Sequence, residues 1–147
     1  MDQSQGASRG AVDPGFSESV TDSFVSYAKD WVKYETTNPR YVADHDTGEY
    51  LTTREAMERA GKDVPDYQPS PDMRYLLADF WALKRYLPEL SDPITPGLVR
   101  DYMGCQGALL TRAERAIIYE TDYALRGALA DQIAKNERWK MKQARKK

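Results

Sequence analysis

The one histidine of this 147-residue chain, His45, stands between Asp44 and Asp46. An imidazole with two carboxylates is a donor set that could take a divalent cation. Adjacent residues do not converge easily on one centre, however, and no second histidine completes a site. The stretch, closed by Gly48, therefore reads as a polar turn. The one cysteine, Cys105, follows Gly104. A nucleophilic thiol needs a base beside it, and His45 lies 60 positions away. A single cysteine forms no internal disulfide, which fits a reducing compartment. Glu114, Glu120 and Asp122 interleave with Arg112, Arg115 and Arg126, the pattern of a solvated face laced with ion pairs rather than of a catalytic carboxylate pair. Gly104-Cys105-Gln106-Gly107 is too short for a phosphate loop and lacks its lysine. No catalytic residue, metal site or cofactor is expected.

Two other patterns point to binding. The formal net charge of −2 hides an asymmetry. Residues 135–147 carry seven basic side chains (Lys135, Arg138, Lys140, Lys142, Arg145, Lys146 and Lys147) against Glu137 alone, while the rest holds 14 basic and 22 acidic residues. Such a basic tail suits nucleic acid or an acidic protein face. It also suits a plain solvated helix end, where cations are favoured. Aromatic residues crowd the second half of the chain, and Tyr75, Phe80, Trp81, Tyr86, Tyr119 and Tyr123 are candidates for a partner surface. Rings of this kind serve a core equally well.

The elements that must position these residues are mostly helical. Residues 1–15, rich in Gly, Ser, Gln and Asp, read as a disordered arm. Val20, Phe24, Tyr27, Ala28 and Trp31 recur at helical spacing over about 17–35. Asp and Gly punctuate 41–51, which reads as a short β-hairpin or a loop. Thr52 and Glu55 have capping-box spacing for a short helix ending at Gly61. Pro65 and Pro69 mark 63–70 as a linker. Ser70-Pro71-Asp72 then opens a helix over 71–87 and Thr95-Pro96 a second over 95–104, with Gly104 as its stop. Thr111 and Glu114 open a third over 112–139 with Ile118, Leu125, Leu129 and Ile133 on one face. The expected fold is thus mainly α, a small helical bundle. An N-terminal unit at 16–62 would precede a helical core domain at 71–139 and a basic tail at 140–147. Residues 95–126 superficially suggest a helix-turn-helix, but the connection is near seven residues rather than three or four, and acids in the second helix would oppose phosphates. No apolar run approaches the ~18 residues of a membrane span, and the first residues lack the pattern of a signal peptide. A cytoplasmic protein is expected.

Leu76-Leu77-Ala78-Asp79-Phe80-Trp81-Ala82-Leu83-Lys84-Arg85, Pro93-Ile94-Thr95-Pro96, Val99-Arg100-Asp101-Tyr102, Leu110-Thr111-Arg112-Ala113-Glu114 and Ile117-Ile118-Tyr119-Glu120-Thr121-Asp122-Tyr123-Ala124 follow one another over about 73–125. In this order they resemble small proteins of the tail-gene region of tailed bacteriophages, the tail assembly chaperones. The resemblance covers about a third of the chain and rests on caps and core positions. It implies a protein without chemistry of its own that holds the tape-measure protein, and contacts tail-tube subunits, during tail morphogenesis in the host cytoplasm. The residues leave two alternatives open. One is a structural virion or head-tail connector protein. The other is a DNA-binding packaging or regulatory protein that uses the basic tail.

Overall fold

The computed structural model describes residues 14–107 and 109–146, with side chains described from residue 18. Five α-helices and one β-hairpin make up this part of the chain. They run in the order α1 (Pro14–Glu35), β1 (Thr37–Asp44), β2 (Glu49–Thr52), α2 (Thr53–Arg59), α3 (Arg74–Arg85), α4 (Pro96–Gln106) and α5 (Arg112–Arg145). The arm expected at 1–15 lies outside the described residues up to position 13, and Pro14 and Gly15 already form the first turn of α1. Proline at a helix start loses nothing, because the first amides have no intrahelical partner.

Of the stripe read from α1, Val20, Phe24, Tyr27 and Ala28 are buried and Trp31 is partly so, while Val32 is a buried member the reading did not include. Val20, Phe24, Tyr27, Ala28 and Val32 join Leu76, Leu77, Phe80 and Leu83 of α3, Val99 and Tyr102 of α4, and Ile117, Ile118 and Leu125 of α5 in one hydrophobic core. Each large apolar side chain hidden in this way contributes about 1.5–3 kcal/mol. The helix at 17–35 is therefore not a separate unit from 71–139. It packs along α5, its most extensive partner. The segment expected as a linker, 63–70, has no regular structure but is not loose. Pro69 is buried, and the Tyr67 ring stacks on Tyr34 at 5.7 Å.

Local signals explain most boundaries. Thr52 and Glu55 form a reciprocal capping box at α2, and Thr111 and Glu114 form another at α5. Thr95 accepts a hydrogen bond from the Leu98 amide at 3.1 Å to start α4. Three boundaries differ from the sequence reading. Ser70-Pro71-Asp72 opens a single 3-10 turn, Pro71–Met73, with no side-chain cap, so α3 begins only at Arg74 and ends at Arg85. Gly104 lies inside α4; its stop is Gly107, whose φ of +66° is the left-handed conformation that favours glycine. The last helix runs past 139 to Arg145, so the basic residues at 140–145 are helical, and Ile133 is exposed rather than inward.

At 41–51 the chain forms a hairpin that is longer than expected. β1 and β2 pair antiparallel with Thr37 opposite Thr52, Val42 opposite Tyr50 and Asp44 opposite Glu49, with two register shifts. Pro39, which has no amide hydrogen, lies within the first irregular stretch, where a ladder bond is not required. The turn closes through the Gly48 amide donating to the Asp44 carbonyl at 2.9 Å, with Gly48 at φ +73°. The hairpin packs on the distal part of α5.

Candidate functional site

The sequence candidates for chemistry disperse. The Asp44 carboxylate accepts the Asp46 amide at 2.8 Å, a turn-stabilising bond, and His45 sits on the exposed tip of the hairpin. Among the described residues no cluster of His, Cys, Asp and Glu is arranged to hold a metal ion. Cys105 is exposed near the end of α4.

Asp122 departs most from its sequence reading. It is not on a solvated face. Its carboxylate is 1% exposed and pairs with the equally buried Lys84 ammonium at 2.7 Å. The Ile94 amide and the Arg126 guanidinium each donate to its other oxygen at 3.0 Å. Lys84 also donates to the Asp92 carbonyl at 2.7 Å. Charges removed from water persist only when paired and hydrogen-bonded in this way. The network joins α3, the connection before α4, and α5.

A second polar cluster fastens the end of α1. Arg54 of α2 forks onto Glu35 with three hydrogen bonds of 2.9–3.0 Å, and the Tyr67 hydroxyl donates to the same carboxylate. Arg54 is the main cause holding Glu35 below the usual carboxylate range, against an opposing effect of burial. Burial, then the bond to Glu35, pushes the Tyr67 phenol well above its ordinary value.

The six aromatic candidates separate by burial. Phe80 is 0% exposed and belongs to the core, so it offers no partner surface. Trp81 is half-buried, packed on Trp31 at 4.8 Å, with its indole N–H donating to the Tyr27 hydroxyl at 2.8 Å. Tyr119 is half-buried against the core. Tyr75, Tyr86 and Tyr123 are on the surface. They form no common patch. Tyr75 donates to Glu114, and burial and that bond push its hydroxyl up to about 12. Tyr86 accepts from Gln106 at 3.2 Å, and it lies about 16 Å from Tyr75 along the α3 axis at 1.5 Å per residue. Tyr123 stands on α5, with the Arg126 guanidinium 5.9 Å from its ring centre.

Tyr123 borders a large concavity. α1 and α5 lie side by side, and an open groove of about 680 Å³ runs between them. Val25 and Val32 of α1 and Ala124, Gly127 and Ala128 of α5 make its apolar floor, with Tyr123 at the edge. Small residues on α5 leave the floor low: a Cβ added at Gly127 would meet nothing within 4 Å. The rim carries Lys29, Lys33 and Lys135 against Asp30, Glu120 and Asp131, so its charges balance. Sequence reasoning missed the groove. Gly127, a residue type disfavoured inside a helix, leaves open space there.

The basic residues also take definite places. Lys135, Arg138, Lys140, Lys142, Arg145 and Lys146 are all exposed; Lys147 lies outside the described residues. Lys140 is set apart, its ammonium 5.4 Å from the Tyr50 ring of the hairpin. On the neighbouring face Trp139 lies under Arg40 of β1 at 5.1 Å.

No family model, curated protein or solved structure matches the chain. Among the described residues, no helix is long and apolar enough to cross a membrane.

Proposed function

We propose that this chain is a protein-binding factor of the phage tail assembly chaperone type, which holds the tape-measure protein while tail-tube subunits assemble around it. The observation that carries this reading is the open α1–α5 groove, whose apolar floor and balanced rim have the form of a slot for a helix. An amphipathic helix laid apolar face down in such a groove is a common mode of protein recognition. The residues that carry the family resemblance support the reading in a second way. Lys84, Ile94 and Asp122 form a buried network that fixes α5 against α3, and Thr111 and Glu114 cap α5, one of the two helices that frame the groove.

The test is co-expression with the tape-measure protein encoded in the same tail region, followed by affinity purification and by mass spectrometry of finished virions. The expected result is a stable complex in the lysate and no copies in the virion. Presence as a stoichiometric virion component would sink the proposal in favour of a structural role.

A further inference from the structure

The groove does not end where α1 ends. Along α5, Ile117, Thr121, Ala124, Ala128, Asp131, Lys135, Arg138, Lys142 and Arg145 recur at alternating steps of four and three. At 3.6 residues per turn the last seven of these fall within an arc of roughly 100°. One continuous seam thus changes character along its length. Ile117 and Thr121 are buried in the core, Ala124 and Ala128 floor the groove, and Lys135, Arg138, Lys142 and Arg145 are exposed cations. The sole acid of this distal stretch, Glu137, points well away from that arc. The hairpin leaves the seam open, because it contacts α5 through Asn136, Trp139 and Lys140 on adjacent faces.

We infer that the seam is a docking track for one amphipathic helix whose first half is apolar and whose second half is acidic. This rests on the protein-binding reading above and names the chemistry of the partner. The apolar half would lie on Val25, Ala124, Gly127 and Ala128. The acidic half would run over Lys135, Arg138, Lys142 and Arg145, where complementary charge fixes register and direction. From Glu120 to Arg145 the track is about 38 Å long at 1.5 Å per residue, so the partner helix spans about 25 residues. The 3.5-residue repeat of the seam is the repeat at which two helices stay in register side by side. A nucleic acid would use the cations but has no use for the apolar floor, and the balanced charge beside that floor would not attract it.

The experiment uses the full chain and labelled synthetic peptides of about 25 residues with Leu and Ala at the heptad positions of one half and Glu at those of the other, made in both chain directions. Fluorescence anisotropy should show one direction binding about tenfold tighter than a peptide with Lys in place of Glu, a difference set by charge complementarity. The combined variant Lys135→Glu, Arg138→Glu, Lys142→Glu, Arg145→Glu should reverse that preference. Gly127→Phe, which fills the groove, should abolish binding of both peptides, with circular dichroism confirming an intact fold. Tyr123→Ala, at an exposed rim position, should weaken binding without burdening the fold. Four outcomes would overturn the inference: no peptide binding by the native chain; binding indifferent to Gly127→Phe; a duplex DNA oligonucleotide bound in place of the peptides and lost only on charge reversal; or self-association of the chain that Gly127→Phe abolishes. Tape-measure retention that survives Gly127→Phe and the fourfold charge reversal alike would remove this track and leave the proposed function standing. Peptide binding without tape-measure retention would do the reverse.

Discussion

Lys84 and Asp122 are 38 positions apart in sequence, and nothing within a helical turn of either announces the other. Asp122 stands among arginines and glutamates on a long helix, so type and spacing alone assign it to the surface. Only the packing of α3 against α5 brings the two charges together out of water. Removing one member of a buried pair strands the other, at a cost of about 3–5 kcal/mol. Asp122→Ala should lose that much in urea unfolding, since it also leaves the Ile94 amide without its acceptor. Lys84→Met should cost less, because Arg126 still neutralises the carboxylate. The double variant Lys84→Met, Asp122→Leu should recover part of the loss, because an apolar pair of similar volume carries no ionic desolvation penalty although the Ile94 amide still lacks its acceptor. Equal losses in both single variants with no recovery in the double would contradict this account. The aromatic candidates follow the same logic. Phe80 and Tyr123 both present a large aromatic ring on a helix, and neighbours distant in sequence decide that one is core and the other rim.

At the level of elements, what is legible in the sequence is what is local. A capping box involves residues three apart, and Thr52 with Glu55 and Thr111 with Glu114 mark their helices correctly. The apolar stripe of α1 is legible for the same reason. Helix ends set by context are not: Gly104 continues α4 because nothing there requires a left-handed residue, whereas Gly107 does. The extent of α5 beyond 139 is another such case, since it rests partly on the hairpin that packs against it. Two predictions belong here. Gly127 is exposed in mid-helix with open space at its Cβ, so Gly127→Ala should stabilise the fold by about 1 kcal/mol, read from the urea midpoint. A lower midpoint would mean that glycine is held there by an unseen close approach. Trp139→Ala removes the ring beneath Arg40, a contact of about 0.5–1 kcal/mol. Amide exchange in β1 and β2 should then quicken several-fold while the core amides of α1 and α5 hardly change. Equal acceleration throughout would show that the hairpin unfolds only with the bundle.

The molecule as a whole is one core with a ring of tyrosine hydroxyls tied to carboxylates and to an indole around its edges, and this gives it a definite alkaline limit. Mainly helical character is legible from periodicity, but the single core is not, because α1 meets α3 and α5 across most of the chain. The tyrosine ties are equally long-range: Tyr67 to Glu35, Tyr75 to Glu114, and Tyr102 to Asp79 at 2.6 Å. In each the phenol is the donor, so the fold favours its protonated form. Burial and the adjoining carboxylate push Tyr75 and Tyr102 up to about 12, from an ordinary 10.0. Tyr67 is raised by the same causes, and Tyr27 mainly by burial. An unfolded chain releases these protons near pH 10, while the folded chain keeps them to higher pH. Between those values the folded state binds more protons, so stability falls as pH rises. The contribution is fully present below pH 10 and is lost as pH passes through the folded values. The urea midpoint should therefore be level from neutral pH to about pH 9.5 and decline between about pH 10 and 12. Tyrosinate absorbance should show Tyr27, Tyr67, Tyr75 and Tyr102 titrating late. Tyr102→Phe should lower stability at neutral pH by losing one hydrogen bond, about 1 kcal/mol, and should also flatten the alkaline decline. A midpoint that stays level through pH 12, or a decline as steep in Tyr102→Phe as in the native chain, would show that these hydroxyls do not link the fold to pH.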